Sequence, residues 1–556
     1  MNAWRHTAVV VLFVGACIGL ATRVGYLTVS ERDFLQHQGD ARSVRTEKIS
    51  AYRGVIYDRY GEPLAVSTPV AAVWTDPSLG GIKDGDVTKV ARALKVKAPG
   101  LKSDLERNRS RAFMYIKRGV PLDEAERLRE LDVEGVYFQP EYRRFYPAGE
   151  TAAHVVGLTG IDDEGLEGIE LSFNETLRGE PGRKVVLKDQ RGTIIKDLEF
   201  LAAPRFGQDL TLTLDLRLQF IAYRELKAAV ESHRAASGSL VMLDVETGGI
   251  LALVNQPSFN PNQSGGRSSR AMRNRAVTDT YEPGSTIKPF TALAAMESGR
   301  FERYSRIDTA PGYFRVGSKL IQDPLNRGTI TLETALKKSS QVGFTKIALA
   351  LEPRAVYEML TRIGLGEYQN TRLPGAVAGT LTDRDLDKPV VRATLAYGYG
   401  LAVSPLQLAQ AYLTLAGHGV RLPVSIIREA QPPAGERVFD ARLGAEVVSM
   451  LEGVAAADGT APDARIPGYR VAGKTGTVRK VGAQGYDDER HVAWFAGIAP
   501  ASDPRIVMVV LINEPAGKAK GGGEVAAPVF GRVMARAMRL LGIPPDEPVT
   551  TLARAA

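Results

Sequence analysis

The chain has 556 residues, too many for one ordinary core at roughly 150 residues per domain, so two to four units are expected. Its 44% hydrophobic and 24% charged content is that of a globular protein and excludes extended disorder except at the ends. The formal charge of +8 comes from Lys and Arg interspersed with Asp and Glu; without zinc-finger spacing or an aromatic RNA-binding signature, it points to no nucleic-acid partner. A single cysteine, Cys17, excludes any intrachain disulfide.

The first predicted element is the apolar run from Thr7 to Val29, long enough at about 1.5 Å per residue to cross a hydrocarbon layer of roughly 30 Å. Arg23 near its end can snorkel to the interface, and Tyr26 suits the aromatic belt. Arg5 and His6 precede the run and a large polar region follows it. The simplest topology is a short cytoplasmic tail over residues 1–6, a single span over 7–29 in the cytoplasmic (inner) membrane, and the bulk outside. A cleaved signal peptide is a rival reading, but it calls for a shorter apolar core and a small-residue cleavage site. Val14-Gly15-Ala16-Cys17 resembles a lipoprotein processing site, against which stands the apolar run continuing past Cys17.

Residues 30–206 read as an elongated α+β module. Strand-like runs occur at Ala71–Trp74 and from Arg183 to Asp189, and a charged helical stretch runs from Leu122 to Leu131. Within the module, Arg53 to Ala65 (RGVIYDRYGEPLA) centres on a predicted turn, because Gly61 tolerates positive φ and Asp58 can bond nearby backbone. From about Gly207 the pattern becomes an alternating strand that runs into an amphipathic helix, and a second domain over 207–545 begins. It carries a predicted hairpin, Gly238–Asp244 with Gly248–Val254. A later strand pair, His491–Ile498 with Arg505–Ile512, precedes a helix from Val525 to Leu541. An antiparallel sheet assembled from both ends of a domain, with helical sequence between, is an α+β arrangement. The Pro/Asp-rich tail, 546–556, is expected to be a loose end.

The segment Tyr281 to Phe290 (YEPGSTIKPF) carries the chemistry. Pro289 is tolerable only in the first turn of a helix, so the helix must start close to Ser285, with Lys288 three residues on and over the same face. A serine is a poor nucleophile until a neighbour removes its proton, and a lysine can do so only where its site lowers its pKa. Val471 to Thr477 (VAGKTGT) reads as an apolar entry into a small-residue strand. Lys474 offers a charge and Thr475 a hydroxyl for a substrate carboxylate, and Gly476 lets a backbone approach. Between them, Lys337 to Gly343 (KKSSQVG) is a polar knot at a helix start. Ser-x-x-Lys is common by chance, and so is a strand lysine. Their ordered succession around a serine turn is the triple of active-site serine penicillin-recognising enzymes.

On these residues the chain resembles the class B penicillin-binding proteins, and within them the division-specific septal transpeptidases. The resemblance extends over nearly the whole chain, through RGVIYDRYGEPLA, RRFYPAGETAAHVVG, DDEGLEGIE, YGYGLAVSPLQLAQAY and GEVAAPVFGRVM. It implies a penicillin-binding transpeptidase fold on a non-catalytic pedestal, and D,D-transpeptidation of peptidoglycan stem peptides, inhibited by β-lactams. Ser285 would attack the penultimate D-Ala carbonyl, Lys288 act as general base and Ser339 relay the proton. Lys474 and Thr475 would hold the substrate carboxylate, Gly476 and Thr477 line the same strand, and the N–H groups of Ser285 and Thr477 form the oxyanion hole. No cofactor is implied, and no His/Cys/Asp cluster has metal spacing. The implied partners are a glycosyltransferase of the FtsW type that polymerises lipid II, other division membrane proteins, and the membrane itself.

The family's middle motif is Ser-x-Asn, whereas Gln341 stands two residues after Ser339; it keeps the amide and adds a methylene. Literal Ser-x-Asn strings at Ser172–Asn174 and Ser258–Asn260 lie upstream of Ser285, out of the family order. Lys520 to Glu524 also departs from the family pattern of an aromatic before paired glycines. The competing readings are an elongation-type transpeptidase, a β-lactamase, and a catalytically weak structural or regulatory paralogue. The last is motivated by Gln341 alone.

Overall fold

The computed structural model describes residues 3–34, 43–188, 194–263, 265, 268–431, 433–482 and 485–548. Asp189 and residues 549–556 of the expected tail lie outside them. Helix α1, Ala3–Gly25, continues as a wider turn over Tyr26–Ser30, and together they make a 28-residue apolar helix with none of its most apolar window buried. It is long and apolar enough to cross a membrane. The Arg23 guanidinium lies 5.4 Å from the Tyr26 ring, at the end where a cation and an aromatic ring are expected.

Contacts divide the chain into two compact units that do not follow a single cut. One contains Met1–Gly54, Ser67–Arg143 and Arg178–Gln208, and the other Val55–Val66, Arg144–Leu177 and Asp209–Ala556. The first unit has an antiparallel sheet of Val44–Ile49, Gly182–Lys188 and Ile194–Ala202. Its small core gathers Val73, Val90, Val120 and Leu128 from a long strand, Pro63–Thr75, its partner Met114–Val120, and the helices Asp84–Ala93 and Leu122–Arg129, with Leu94 at the end of the first helix. The predicted strand at Ala71–Trp74 and the charged helix are both present.

The second unit is built on a five-stranded antiparallel sheet. Its strands are β1 (Ser237–Asp244), β2 (Ile250–Gln256), β3 (Ala472–Gly482), β4 (Gly485–Ala499) and β5 (Ile506–Asn513), in the order β2-β1-β5-β4-β3. Every residue of β5 is buried, as expected for a strand covered on both faces. The covering helices include α2 (Leu216–Ser232), α3 (Lys288–Glu297), α4 (Gln341–Ala350), α5 (Pro405–Ala416), α6 (Ala441–Ala455) and α7 (Ala527–Leu540). All twelve residues of α5 are buried, so this helix is apolar all round because it has no solvent face. The predicted C-terminal helix is interrupted at Ala526, where Pro528 in the next first turn has no N–H to continue the earlier ladder.

Local chemistry explains the turn at Arg53 to Ala65. Gly61 adopts φ +89°, and one Asp58 carboxylate oxygen accepts from the N–H groups of Tyr60 at 2.7 Å and Glu62 at 2.9 Å. The other accepts from Leu216 N at 3.1 Å, which ties this segment to the start of α2. Arg144 and Glu170 also belong to the second unit, as a pair with side chains 1% and 0% exposed and Nε to Oε1 at 2.6 Å. Glu170→Ala removes the carboxylate partner of a buried guanidinium. It is expected to destabilise this unit by about 3–5 kcal/mol, read as a lower urea midpoint.

Candidate active site

The Ser285 segment is shaped by its backbone. A 3-10 turn, Gly284–Ile287, carries Ser285 and feeds directly into α3, which starts at Lys288 with Pro289 in its first turn, so the helix begins close to Ser285 as its sequence requires. Gly284 has φ +55°, and a Cβ there would stand 2.5 Å from a Val478 methyl on β3. Gly476 is equally confined, since its Cβ would meet the Pro283 carbonyl at 2.8 Å and Thr286 Cγ2 at 3.0 Å. Both glycines therefore let the serine turn press against the Lys-Thr-Gly strand. The close backbone approach that Gly476 permits is thus made by the protein itself. Trp494, opposite Gly476 on β4, donates Nε1–H to the Glu282 carbonyl at 3.2 Å and closes the same contact.

The Ser339 turn joins the short helix Leu332–Lys337 to α4. Ser340 N donates to Ala335 O at 2.9 Å and Ser339 N to Leu336 O at 3.2 Å, the paired bonds of a helix end that requires a left-handed residue. Ser339 fills that position with φ +58°, where glycine would be the easy choice. A serine held there is a strained residue at a functional site. Ser340 caps α4, its Oγ accepting from Gly343 N at 2.8 Å. The Asp323 carboxylate accepts from Gln341 N at 2.6 Å, Val342 N at 3.2 Å and the Ser340 hydroxyl. Gln341 is half-buried, and this corner holds it by its backbone.

These two turns and β3 converge on three side chains. Lys288 and Lys474 are both 0% exposed. Lys288 Nζ lies 2.5 Å from the Ser339 carbonyl and 3.1 Å from Ser339 Oγ. Lys474 Nζ lies 3.0 Å from the same Oγ and 3.2 Å from the Thr475 carbonyl. One hydroxyl thus stands between two amines, with one proton to give and lone pairs to accept with. Burial pushes Lys474 down to about 7. Burial also pushes Lys288 well below its usual range, and the neighbouring Lys474 charge pushes it the same way, against a smaller upward pull from Asp323. A neutral Lys288 amine can accept a proton; a Lys474 ammonium can attract an anion.

The rest of the Lys-Thr-Gly strand is fixed by neighbours far along the chain. Thr475 is buried, its hydroxyl 3.0 Å from that of Thr460, while Thr477 is exposed, its Oγ1 accepting from Gly522 N at 3.0 Å. The structure therefore joins Lys288, Ser339 and Lys474 through their side chains, with Thr475 next on the same strand, and packs the turn that carries Ser285 against that strand beside Gly476, with Thr477 one residue on and Gln341 at the rim of the Ser339 corner. The upstream Ser-x-Asn strings lie elsewhere, Ser172–Asn174 at the junction of two short helices and Ser258–Asn260 in the segment after β2. Asn174 Oδ1 accepts from Gly165 N, and Asn260 Oδ1 from Asn262 N. Sequence reasoning missed Asp323, Thr460 and Ser340. Ser340 is readable as a helix cap before an apolar run, whereas no local signal marks Asp323 or Thr460.

The penicillin-binding protein transpeptidase domain model matches residues 238–535, and the penicillin-binding protein dimerisation domain model matches residues 48–212. The chain belongs to the penicillin-binding protein transpeptidase family. It is 41% identical over 98% of its length, and 93% of the relative's, to the peptidoglycan D,D-transpeptidase FtsI of Escherichia coli K12. It is 40% identical, over 98% of this chain and 96% of the other, to a probable peptidoglycan D,D-transpeptidase PbpC of Pseudomonas aeruginosa. Among solved structures, the transpeptidase domain of Burkholderia pseudomallei penicillin-binding protein 3 matches 61% of this chain and 98% of its own, at 41% identity and TM-score 0.56. Penicillin-binding protein 3 of Mycobacterium tuberculosis, complexed with aztreonam, matches 90% of this chain and 99% of its own, at 27% identity and TM-score 0.69. The α+β transpeptidase fold read from the sequence is the fold of this family.

Proposed function

We infer that this chain is a serine peptidoglycan D,D-transpeptidase of the FtsI type, serving septal wall synthesis. The carrying observation is the Ser339 hydroxyl held between Lys288 Nζ and Lys474 Nζ, beside a helix start that presents Ser285 against the Lys-Thr-Gly strand. Lys288, whose pKa burial and the neighbouring Lys474 charge push well below its usual range, acts as the general base that removes the Ser285 proton. Ser285 attacks the penultimate D-Ala carbonyl, and the N–H groups of Ser285 and Thr477 receive the oxyanion. Ser339 passes the proton on to the departing D-Ala amine, and an amine from a neighbouring stem peptide resolves the acyl-enzyme. Lys474 and Thr475 hold the terminal carboxylate. β-Lactams enter by the same route, because their strained amide and carboxylate offer the same two groups.

The second unit has the catalytic role and the first a non-catalytic, pedestal role. The apolar helix α1 would anchor the chain in the cytoplasmic membrane with the catalytic unit on the periplasmic side. A glycosyltransferase of the FtsW type, supplying glycan strands to cross-link, is the expected membrane partner. The activity is tested by release of D-Ala from a pentapeptide donor in the presence of an amine acceptor, with formation of the amide product. Gln341→Asn shortens the side chain by one methylene at a backbone that Asp323 already holds. It is expected to raise the acylation rate about two- to fivefold, since site groups need placement within about 0.5 Å. The rate of labelling by a fluorescent penicillin measures it.

A further inference from the structure

The turn that follows α6 touches both sides of the site. Gly459 N donates to Ala456 O at 2.8 Å and Ala461 N to Val454 O at 2.9 Å, and a Cβ on Gly459 would stand 2.1 Å from the Val454 carbonyl oxygen. The turn is therefore folded flat on the helix end. On one side Asp458 meets Lys337 Nζ at 2.7 Å and Lys338 Nζ at 3.2 Å, the two residues before Ser339. On the other, Thr460 Oγ1 lies 3.0 Å from Thr475 Oγ1.

Each hydroxyl has one proton, so only one of the two donates in this bond. If Thr475 donates to Thr460, its proton is used within the protein and none is left for a ligand. An ionised carboxylate only accepts, so a bound carboxylate selects the other arrangement, with Thr460 donating to Thr475. We propose that Thr460 is a positioning residue whose hydroxyl donates to Thr475 Oγ1 and so directs the Thr475 O–H to the carboxylate of the acyl donor. Asp458 anchors the same turn to the lysines preceding Ser339, which keeps Thr460 in register with both motifs. The inference rests on the reading that Lys474 and Thr475 hold that carboxylate.

The test compares acylation of the full chain in detergent by benzylpenicillin and by its methyl ester, in wild type, Thr460→Val, Thr460→Ala and Thr460→Ser. Thr460→Val keeps the shape and removes the hydroxyl, Thr460→Ala removes both, and Thr460→Ser keeps the hydroxyl. The acid should react about tenfold more slowly with Thr460→Val, the size of a lost hydrogen bond supporting a charged ligand. The ester rate should stay within about twofold of wild type, so that the acid-over-ester preference shrinks by about tenfold. Thr460→Ala should shift the preference in the same direction, and Thr460→Ser should restore it. Equal losses for acid and ester would show support of the fold only and overturn the proposal, as would an unchanged preference in folded Thr460→Val or Thr460→Ala. A wild type that does not discriminate acid from ester would instead remove the carboxylate reading, and the inference with it.

Discussion

Replacing Lys288 by methionine is expected to slow acylation of Ser285 by about 10³-fold or more while leaving the catalytic unit folded. Methionine nearly matches the lysine in length and belongs in a fully buried, largely apolar position, so the substitution removes the amine without opening a large cavity. It also removes the bonds to the Ser339 carbonyl and hydroxyl, which leaves the hydroxyl to Lys474 alone. In the proposed mechanism the Ser285 proton then has no base to go to. Lys288→Arg should be equally inactive, because a guanidinium does not deprotonate at working pH, and less stable, because its charge would be buried. Stopped-flow acylation by a chromogenic cephalosporin, with urea unfolding as the control, separates loss of the base from loss of the fold.

In the proposed roles, the same pair of lysines fixes the sign of the pH dependence. Lys288 acts only when unprotonated, so acylation rises as pH climbs through its lowered pKa. Lys474 acts only when charged, so kcat/KM falls as pH climbs through about 7. A carboxylate bound beside Lys474 favours the ammonium, so the falling limb of the maximal acylation rate should lie at higher pH than that of kcat/KM. In Lys474→Arg, whose charge does not titrate, the falling limb near 7 should disappear.

How much of this was readable beforehand follows from which interactions are local. Pro289 alone requires a helix starting near Ser285, and the spacing to Lys288 puts both on one face. The apolar runs of β1, β2, β4 and β5 announce a buried antiparallel sheet. Other features depend on chain segments that meet only in the folded state. Asp323 grips a helix start 18 residues away, and Thr460 orients a strand residue 15 positions on. Neither is marked by anything in its own neighbourhood. The division into units is non-local in the same way. Val55–Val66 and Arg144–Leu177 read as part of the preceding module, yet Asp58 bonds the start of α2 and Asn262 bonds the Tyr146 backbone. Gly476 looks in sequence like space for a ligand, and the structure fills that space with the Pro283 carbonyl and Thr286.

Removing the proposed nucleophile has the largest expected effect. In Ser285→Ala the helix start is undisturbed, and acylation should fall by at least about 10⁴-fold. The neighbouring hydroxyls of Thr286 and Ser339 are already engaged. Thr286 Oγ1 donates to the Pro283 carbonyl at 2.8 Å in a buried position, and Ser339 Oγ lies between two lysines. The decisive measurement is the intact mass of the folded protein after incubation with benzylpenicillin, followed by peptide mapping. A gain of one penicillin mass on the Ser285 peptide of wild type, absent from Ser285→Ala, is the predicted result. A folded wild type that takes up no penicillin, or an adduct that persists in Ser285→Ala, would contradict the acyl-enzyme account.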